Sequence, residues 1–276
     1  MLTDALLKLV DVHKFYFSFK LFIIIYQLYI IMSNTSGLNY ICFTTIPSRF
    51  KNLYTIISYI KKNFKGQFHN INIYIPNNYI RFGNKYKIPD NVLNIDKVNI
   101  VKCDTDWGPA TKFIGPILDK NINKDDNIIV IDDDNIKDLS WLIISNYYLR
   151  KFPKSIIQLR ISSYNNNPIK FKMIHIHGVS GFCFKKGTLN NDNFNKYMYN
   201  IPKILLFIDD DILTYYSYLY KINIVMSNEI VRRKYLYQDN SLVKQSGNLK
   251  RSNLRKKAKQ YLFNKYRLKF NFNNIA

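Results

Sequence analysis

The run Ile128-Ile129-Val130-Ile131, introduced by Asn127, ends without transition in three carboxylates, Asp132-Asp133-Asp134. A short β-branched run of this kind reads as a strand buried on both faces, as in a parallel sheet, and the acids mark where the chain leaves it. In open α/β sheets ligands gather in the crevice outside the carboxyl ends of the strands. Two acids one residue apart can point the same way from an extended turn and share one hard cation. Mg²⁺ or Mn²⁺ held in this manner keeps positions open for phosphate oxygens. The simpler alternative is that the acids cap the next helix or end the strand in water.

The rest of the chain supplies an α/β frame around that run. Asn39–Thr45 reads as a first strand, stopped by Pro47, with Ser48 available as a cap. Leu53, Ile56, Ile57, Ile60 and Phe64 form the apolar stripe of a helix over Lys51–Lys65. Ile71, Ile73 and Ile75 alternate with polar residues, predicting a strand closed by Pro76, and Asp96–Cys103 gives another. After the turn Asp104–Gly108, Pro109 suits the first position of a helix reaching Leu118, with a break near Pro116. Asp138 is placed to cap a helix through Leu149. Ser155–Arg160 is strand-like, as is Ile174–Phe184, bent by Gly178 and Gly181. Asp209-Asp210-Asp211 opens a helix that runs to about Tyr220. Strands and helices alternating in this order predict one α/β domain with a mainly parallel sheet flanked by helices.

A length of 276 residues suits one large domain, and 47% hydrophobic with 16% aromatic content belongs to a folded globule. Lys and Arg number 41 against 19 acids, a formal charge of +22. That excess suits a nucleic-acid binder. Yet Asn, Ile, Tyr and Lys saturate the whole chain and share A/T-rich codons, so a base bias would inflate Lys without any selection for a basic partner. The local distribution says more, because no acid follows Asp239 while Lys244, Lys250, Arg251, Arg255, Lys256, Lys257, Lys259, Lys265, Arg267 and Lys269 do. Residues 241–276 therefore read as a basic tail, helical near Leu254–Tyr266, suited to anionic lipid, nucleic acid or ligand phosphates. Cys42, Cys103 and Cys183 are widely spaced in apolar runs, which predicts buried free thiols. Residues 1–38 form an apolar extension. Its clean stretch Leu21–Met32 is short for a membrane span, which leaves a weak anchor, an interfacial helix or residues ahead of a start at Met32. The expected location is cytoplasmic or membrane-associated, without a convincing cleavable signal.

Five segments in order carry a resemblance covering roughly Asn39 to Ile224. They are Thr44-Thr45-Ile46-Pro47-Ser48-Arg49, Trp107-Gly108-Pro109-Ala110-Thr111-Lys112, Ile129 through Asp134, Gly178-Val179-Ser180-Gly181, and Ile208-Asp209-Asp210. Together they resemble a GT-A fold glycosyltransferase, family-2-like, of the kind found in some large DNA viruses and microbial eukaryotes. The resemblance implies a GT-A-like domain over residues 39–240 that moves a sugar from a nucleotide-sugar donor to a glycan, protein or lipid hydroxyl. It implies Mn²⁺ or Mg²⁺ on Asp132 and Asp134, with Asp133 toward the donor ribose or sugar. Asp209 or Asp210 would be the general base, with a lean to Asp210.

Around these, Lys112 and Arg49 are candidate contacts for the diphosphate and the nucleotide end. Trp107 is a candidate wall of the donor pocket, while Gly178 and Gly181 would let backbone approach the sugars. His175 and His177 alternate and so would share a face of their strand, a spacing that suits a metal nitrogen, although the family pattern does not require it. Two other classes compete: a nucleic-acid-binding protein using the basic tail, and a metal-dependent phosphohydrolase or nuclease. Neither gives the Gly-Pro-Ala-Thr-Lys segment a role, and no specific nucleic acid is expected as partner.

Overall fold

Strand β1, Asn39–Thr44, pairs in parallel with β2, Asn70–Pro76, on one side and β4, Asn127–Val130, on the other. The computed structural model describes residues 37–79, 86–161, 175–190, 192–231, 233–235 and 251–266. The apolar stretch before residue 37 and the basic residues of 236–250 and 267–276 lie outside them.

Beyond β2, the sheet continues in parallel to β3, Val98–Cys103. Beyond β4 it turns antiparallel into β7, Phe182–Lys185, then β6, Ser155–Ile161, which pairs in parallel with β8, Asn223–Val231. The order of the seven strands is β3-β2-β1-β4-β7-β6-β8. A two-stranded ribbon of β5, Asn135–Lys137, and β9, Arg233–Tyr235, stands apart from it. The parallel run β3-β2-β1-β4 arises from the βαβ crossovers in the first half of the chain; the single reversed strand β7 is the exception in the mainly parallel sheet.

Period-two alternation sends each strand's side chains into two separate cores. Ile41, Phe43, Ile129 and Ile131 face a cluster with helix α1, Leu53–Phe64, which contributes Leu53, Ile56, Ile57, Ile60 and Phe64. Val92 of the short α2, Asp90–Leu93, joins that side, as do Trp141 and Leu142 of α4, Leu139–Lys151. Tyr40, Cys42, Ile128 and Val130 face the opposite cluster, built on α3, Thr111–Leu118, α5, Lys186–Leu189, α6, Asp192–Asn200, and α7, Asp209–Leu219. The last helix, α8, Arg251–Tyr266, joins this second core through Leu254, Ala258 and Leu262, exposed by no more than 2%. The helical part of the basic segment is therefore seated on the domain.

Several local expectations are corrected. Ser48 caps nothing; Pro47–Asn52 is a 3-10 turn leading into α1 without a side-chain cap. The polar face of β2 is buried too, because Asn72 donates to Tyr74 Oη at 3.1 Å and accepts from Asn99 at 3.0 Å. Helix α3 runs through Pro116 to Leu118 instead of breaking there. Gly115 allows it close to the sheet, since a Cβ there would lie 2.4 Å from the Tyr74 ring. Residues 175–181 are not strand: an irregular segment leads into a 3-10 turn over Gly178–Ser180, and β7 starts at Phe182. Cys42 and Cys183 are buried free thiols as expected, whereas Cys103 is half-buried. Asp138 caps α4 as predicted, accepting from Trp141 N at 3.1 Å. Among the described residues no helix is long and apolar enough to cross a membrane.

Candidate functional site

Alternation continues past the end of β4 and deals the three acids to different neighbours. Asp132 meets α3, where Lys112 Nζ donates to its Oδ1 at 2.9 Å. Asp133 turns to the end of β1, where Thr45 Oγ1 donates to Oδ2 at 2.6 Å and Arg49 Nη1 donates to Oδ1. Asp134 receives the other arm of the same guanidinium, Arg49 Nη2, at 3.2 Å. The side chains of Asp132 and Asp134 are 26% and 23% exposed, against 7% for Asp133. Asp133, expected toward the donor, thus has both oxygens committed inside the protein, and Arg49, expected at the nucleotide, is buried as the bracket between two acids.

Lys112 joins the far acids to this group. Its Nζ lies 2.8 Å from Asp209 Oδ2 and 3.7 Å from Asp210 Oδ1, as well as on Asp132. A cation in the first turn of a helix faces the positive end of that helix's dipole, so its place depends on the carboxylates around it. Burial alone would lower the Lys112 pKa; the charges of Asp132, Asp209 and Asp210 outweigh it and hold the ammonium well above the usual lysine value.

The acids respond unequally. Burial raises Asp132, but Lys112, together with Lys137 and Arg49, more than cancels it and leaves the group below the usual carboxylate range. Burial pushes Asp133 up to about 6 and Asp209 up to about 7, with Arg49 and Lys112 offsetting only part of it. Burial, then the charge of Asp132, raises Asp134. Carboxylate thus outnumbers cation here: Asp132, Asp133, Asp134, Asp209 and Asp210 stand against Lys112 and Arg49, with Lys137 contributing to Asp132.

The Gly178-Val179-Ser180-Gly181 bend closes the site from the side of β7. Gly178 N donates to Asp210 Oδ2 at 2.9 Å. A Cβ on Gly178 would stand 2.5 Å from Lys112 Nζ, 2.7 Å from Asp210 Oδ1 and 3.4 Å from Asp132 Oδ1, so the bare backbone fits among the three. The bend is held by its carbonyls. Val179 O accepts from Asn135 Nδ2 and Lys137 Nζ, each at 2.7 Å, Ser180 O from Trp141 Nε1 at 2.9 Å, and Gly181 O from Gln158 Nε2 at 3.2 Å. Gly181 has φ +70°, and a Cβ there would sit 2.5 Å from the Trp141 ring. Gly178 and Gly181 therefore do different work, one facing the acids and the other making the turn.

Trp107 is buried at 6% exposure, edge-on to Tyr199 with centroids 5.1 Å apart. Gly108 N donates to Asp106 Oδ1 at 2.7 Å, an Asx turn that starts the approach to Lys112. His175 and His177 lie close, with ring centroids 4.8 Å apart, although not on a strand. His175 is engaged with Asp211 at 2.8 Å, and burial, then His175, brings His177 down to about 4. Sequence reasoning missed Lys137, Gln158 and Asp211 as parts of the site. Gln158 left a signal, a polar residue in the middle of an apolar strand, and Asp211 left one as the third acid of the triplet at the start of α7; Lys137 left none above the Lys-rich background.

No protein-family model matches the chain, and no curated protein matches it in sequence. Among solved structures it is similar to GalNAc-T7 with UDP, GalNAc and Mn²⁺, with TM-score 0.53 and 10% identity over 74% of this chain and 45% of that one. The chain has the GT-A fold. Other structures similar to this GT-A chain are S. aureus TarS 1–349 in complex with UDP (TM-score 0.46, 10% identity, 70% of this chain and 59% of that one) and the Francisella tularensis cytidylyltransferase IspD (TM-score 0.41, 14% identity, 82% and 100%). The chain thus spans less than two thirds of the length of the GalNAc-T7 and TarS structures.

Among the described residues no three His, Cys, Asp or Glu side chains converge as a ready metal site. Asp132 and Asp134 nevertheless suit a hard cation that takes one or two carboxylates and completes its shell with phosphate and water. Each is tied through one oxygen and each is about a quarter exposed.

Proposed function

We propose that this chain is a glycosyltransferase that moves a sugar from a nucleotide-sugar donor to an acceptor hydroxyl on a glycan, protein or lipid. The reading is carried by one observation: on a GT-A frame, Asp132 from the carboxyl end of β4 and Asp210 from the start of α7 meet around Lys112 and Gly178. Donor-side and acceptor-side acids thus converge on one point, the arrangement a single displacement needs.

In this reading Asp132 and Asp134 would hold Mn²⁺ or Mg²⁺, whose charge would offset that of the departing diphosphate, worth several kcal/mol. Arg49 and Thr45 fix the acidic turn through Asp133, so that Asp134 keeps its direction. Asp210 is the base. One of its oxygens is fixed by Gly178 N–H and the other, Oδ1, is buried without a hydrogen bond, directed at the Lys112 and Gly178 side, where it takes the proton of the acceptor hydroxyl. Asp209, 3% exposed and against Lys112, holds that lysine in place. Trp107, buried against Tyr199, anchors the turn that leads to Lys112. The exposed Lys256, Lys257, Lys265 and Phe263 of α8 suit an anionic membrane surface as the place where the acceptor is met.

The test is a thermal-shift and turnover screen of UDP-, GDP- and CMP-sugars with and without Mn²⁺. One nucleotide sugar should stabilise the protein only with metal, and Asp134→Ala should abolish that dependence. Equal stabilisation of wild type and Asp134→Ala, or phosphate release without any sugar transfer, would overturn the reading.

A further inference from the structure

The segment 175–178 is fastened along the first turns of α7 at three points. His175 Nε2 lies 2.8 Å from Asp211 Oδ1, Ile176 N donates to Thr214 Oγ1 at 3.0 Å, and Gly178 N donates to Asp210 Oδ2 at 2.9 Å. Thr214 Oγ1 in turn donates to Asp210 O at 2.7 Å. Because an ionised carboxylate only accepts, Nε2 of His175 carries the proton in its bond to Asp211.

Asp211 faces the other way as well. Its Oδ2 accepts from Arg255 Nε on α8 at 2.9 Å. Burial would raise the Asp211 pKa, but the hydrogen bond and charge of His175, with those of Arg255, leave it below the usual range. Helix α8 also packs on the stretch leading to the acids: Leu254, Ala258 and Leu262 share a core with Leu205, Leu206 and Ile208, and Tyr261 Oη donates to Asn200 O.

We propose that α8 is a working part of the site, with Arg255 as a positioning residue: it holds Asp211, Asp211 holds His175, and the segment 175–178 then presents the Gly178 N–H that orients Asp210. The inference deepens the glycosyltransferase reading by adding a residue from the basic C-terminal segment to the machinery that aims the base. Geometry carries it. Two charge-assisted bonds from opposite sides fix a carboxylate adjacent to Asp210, and such bonds are the strong, directional kind.

The experiment uses the full chain, wild type against Arg255→Ala and Arg255→Lys, by amide hydrogen exchange and by transfer kinetics. The Arg255 side chain is 42% exposed, so its truncation leaves the core intact. Exchange at the Ile176 and Gly178 amides should rise about tenfold or more in Arg255→Ala, the scale of losing a hydrogen bond to a charged group. The amides of β1 and β4 should not change. The transfer kcat should fall by a similar factor, with the KM for the nucleotide sugar unchanged, and Arg255→Lys should restore part of both effects. Unchanged exchange at Ile176 and Gly178 in folded Arg255→Ala would overturn the proposal. So would an equal rise on β1 and β4, which would mark α8 as a general buttress. If the wild type turns over no nucleotide sugar, the glycosyltransferase reading fails, and the exchange result still decides whether Arg255 orders the segment.

Discussion

The ammonium of Lys112 lies 2.8 Å from the carboxylate of Asp209, with only 7% and 3% of the two side chains exposed. This buried pair joins α3 to α7, and it makes the site's chemistry inseparable from its stability. The ammonium is tolerated in the interior because the carboxylates of Asp132, Asp209 and Asp210 surround it.

Lys112→Met should therefore destabilise the protein by about 3–5 kcal/mol, the scale for leaving a buried charge without its partner. Urea denaturation followed by circular dichroism measures it. A loss under about 1 kcal/mol would mean that water reaches Asp209 and screens it as at a surface.

Asp210 and Asp209 should separate by kinetics. Asp210→Asn keeps the shape and the Gly178 contact but cannot take a proton, so kcat should fall by about 10²–10⁴. Stabilisation by the nucleotide sugar should persist. Asp209→Asn should act mainly on donor binding and stability through Lys112. The reverse pattern in steady-state kinetics would move the base to Asp209.

Gly178→Ala and Gly181→Ala should fail in different ways. At Gly178 the new methyl collides with the ends of two flexible side chains, Lys112 Nζ and Asp210 Oδ1. The fold should survive while transfer drops by tenfold or more, about 1.4 kcal/mol in the barrier. At Gly181 the φ of +70° and the Trp141 ring both oppose a side chain, with strain and overpacking costing about 1–3 kcal/mol each. Melting temperature and activity measured on both variants distinguish the two.

The pH dependence of stability follows from Asp209. Its folded pKa of about 7 lies above the ordinary 3.8. Between these values the folded protein holds a proton that the unfolded chain has lost, so this group makes stability fall as pH rises. Asp133, raised to about 6, acts with the same sign over a narrower range. In metal-free buffer the stability of Asp209→Asn relative to wild type should thus rise from pH 4 to 7, because Asp133 titrates in both proteins and cancels from the difference. Parallel curves for the two proteins would refute this assignment.

Much of the frame was legible in local pattern. The strands at Asn39, Asn70, Val98, Asn127 and Ser155, helix α1 with its stripe, and the Asp138 cap all follow from periodicity and side-chain chemistry within a few residues. The errors came where neighbours outvoted local preference. Asn72 and Tyr74 look like an exposed face yet are satisfied in the interior, Asn72 donating to Tyr74 and Tyr74 to Asp119. The Ile174–Phe184 stretch has strand composition, but Gly178 N–H and the carbonyls behind it are claimed by side chains from elsewhere.

The chain order alone determined that acids follow a buried strand, that a second acidic triplet begins a helix, and that a lysine follows Gly-Pro-Ala-Thr. Folding decided the partners. It sent Asp132 to Lys112, Asp133 inward to Thr45 and Arg49, Asp210 to Gly178, and Asp211 to His175 and Arg255. The physical reason is that a strand's alternation and a helix's period set directions over a few residues, whereas the charge that meets each carboxylate comes from a distant segment. Only the packed layers bring the two within reach.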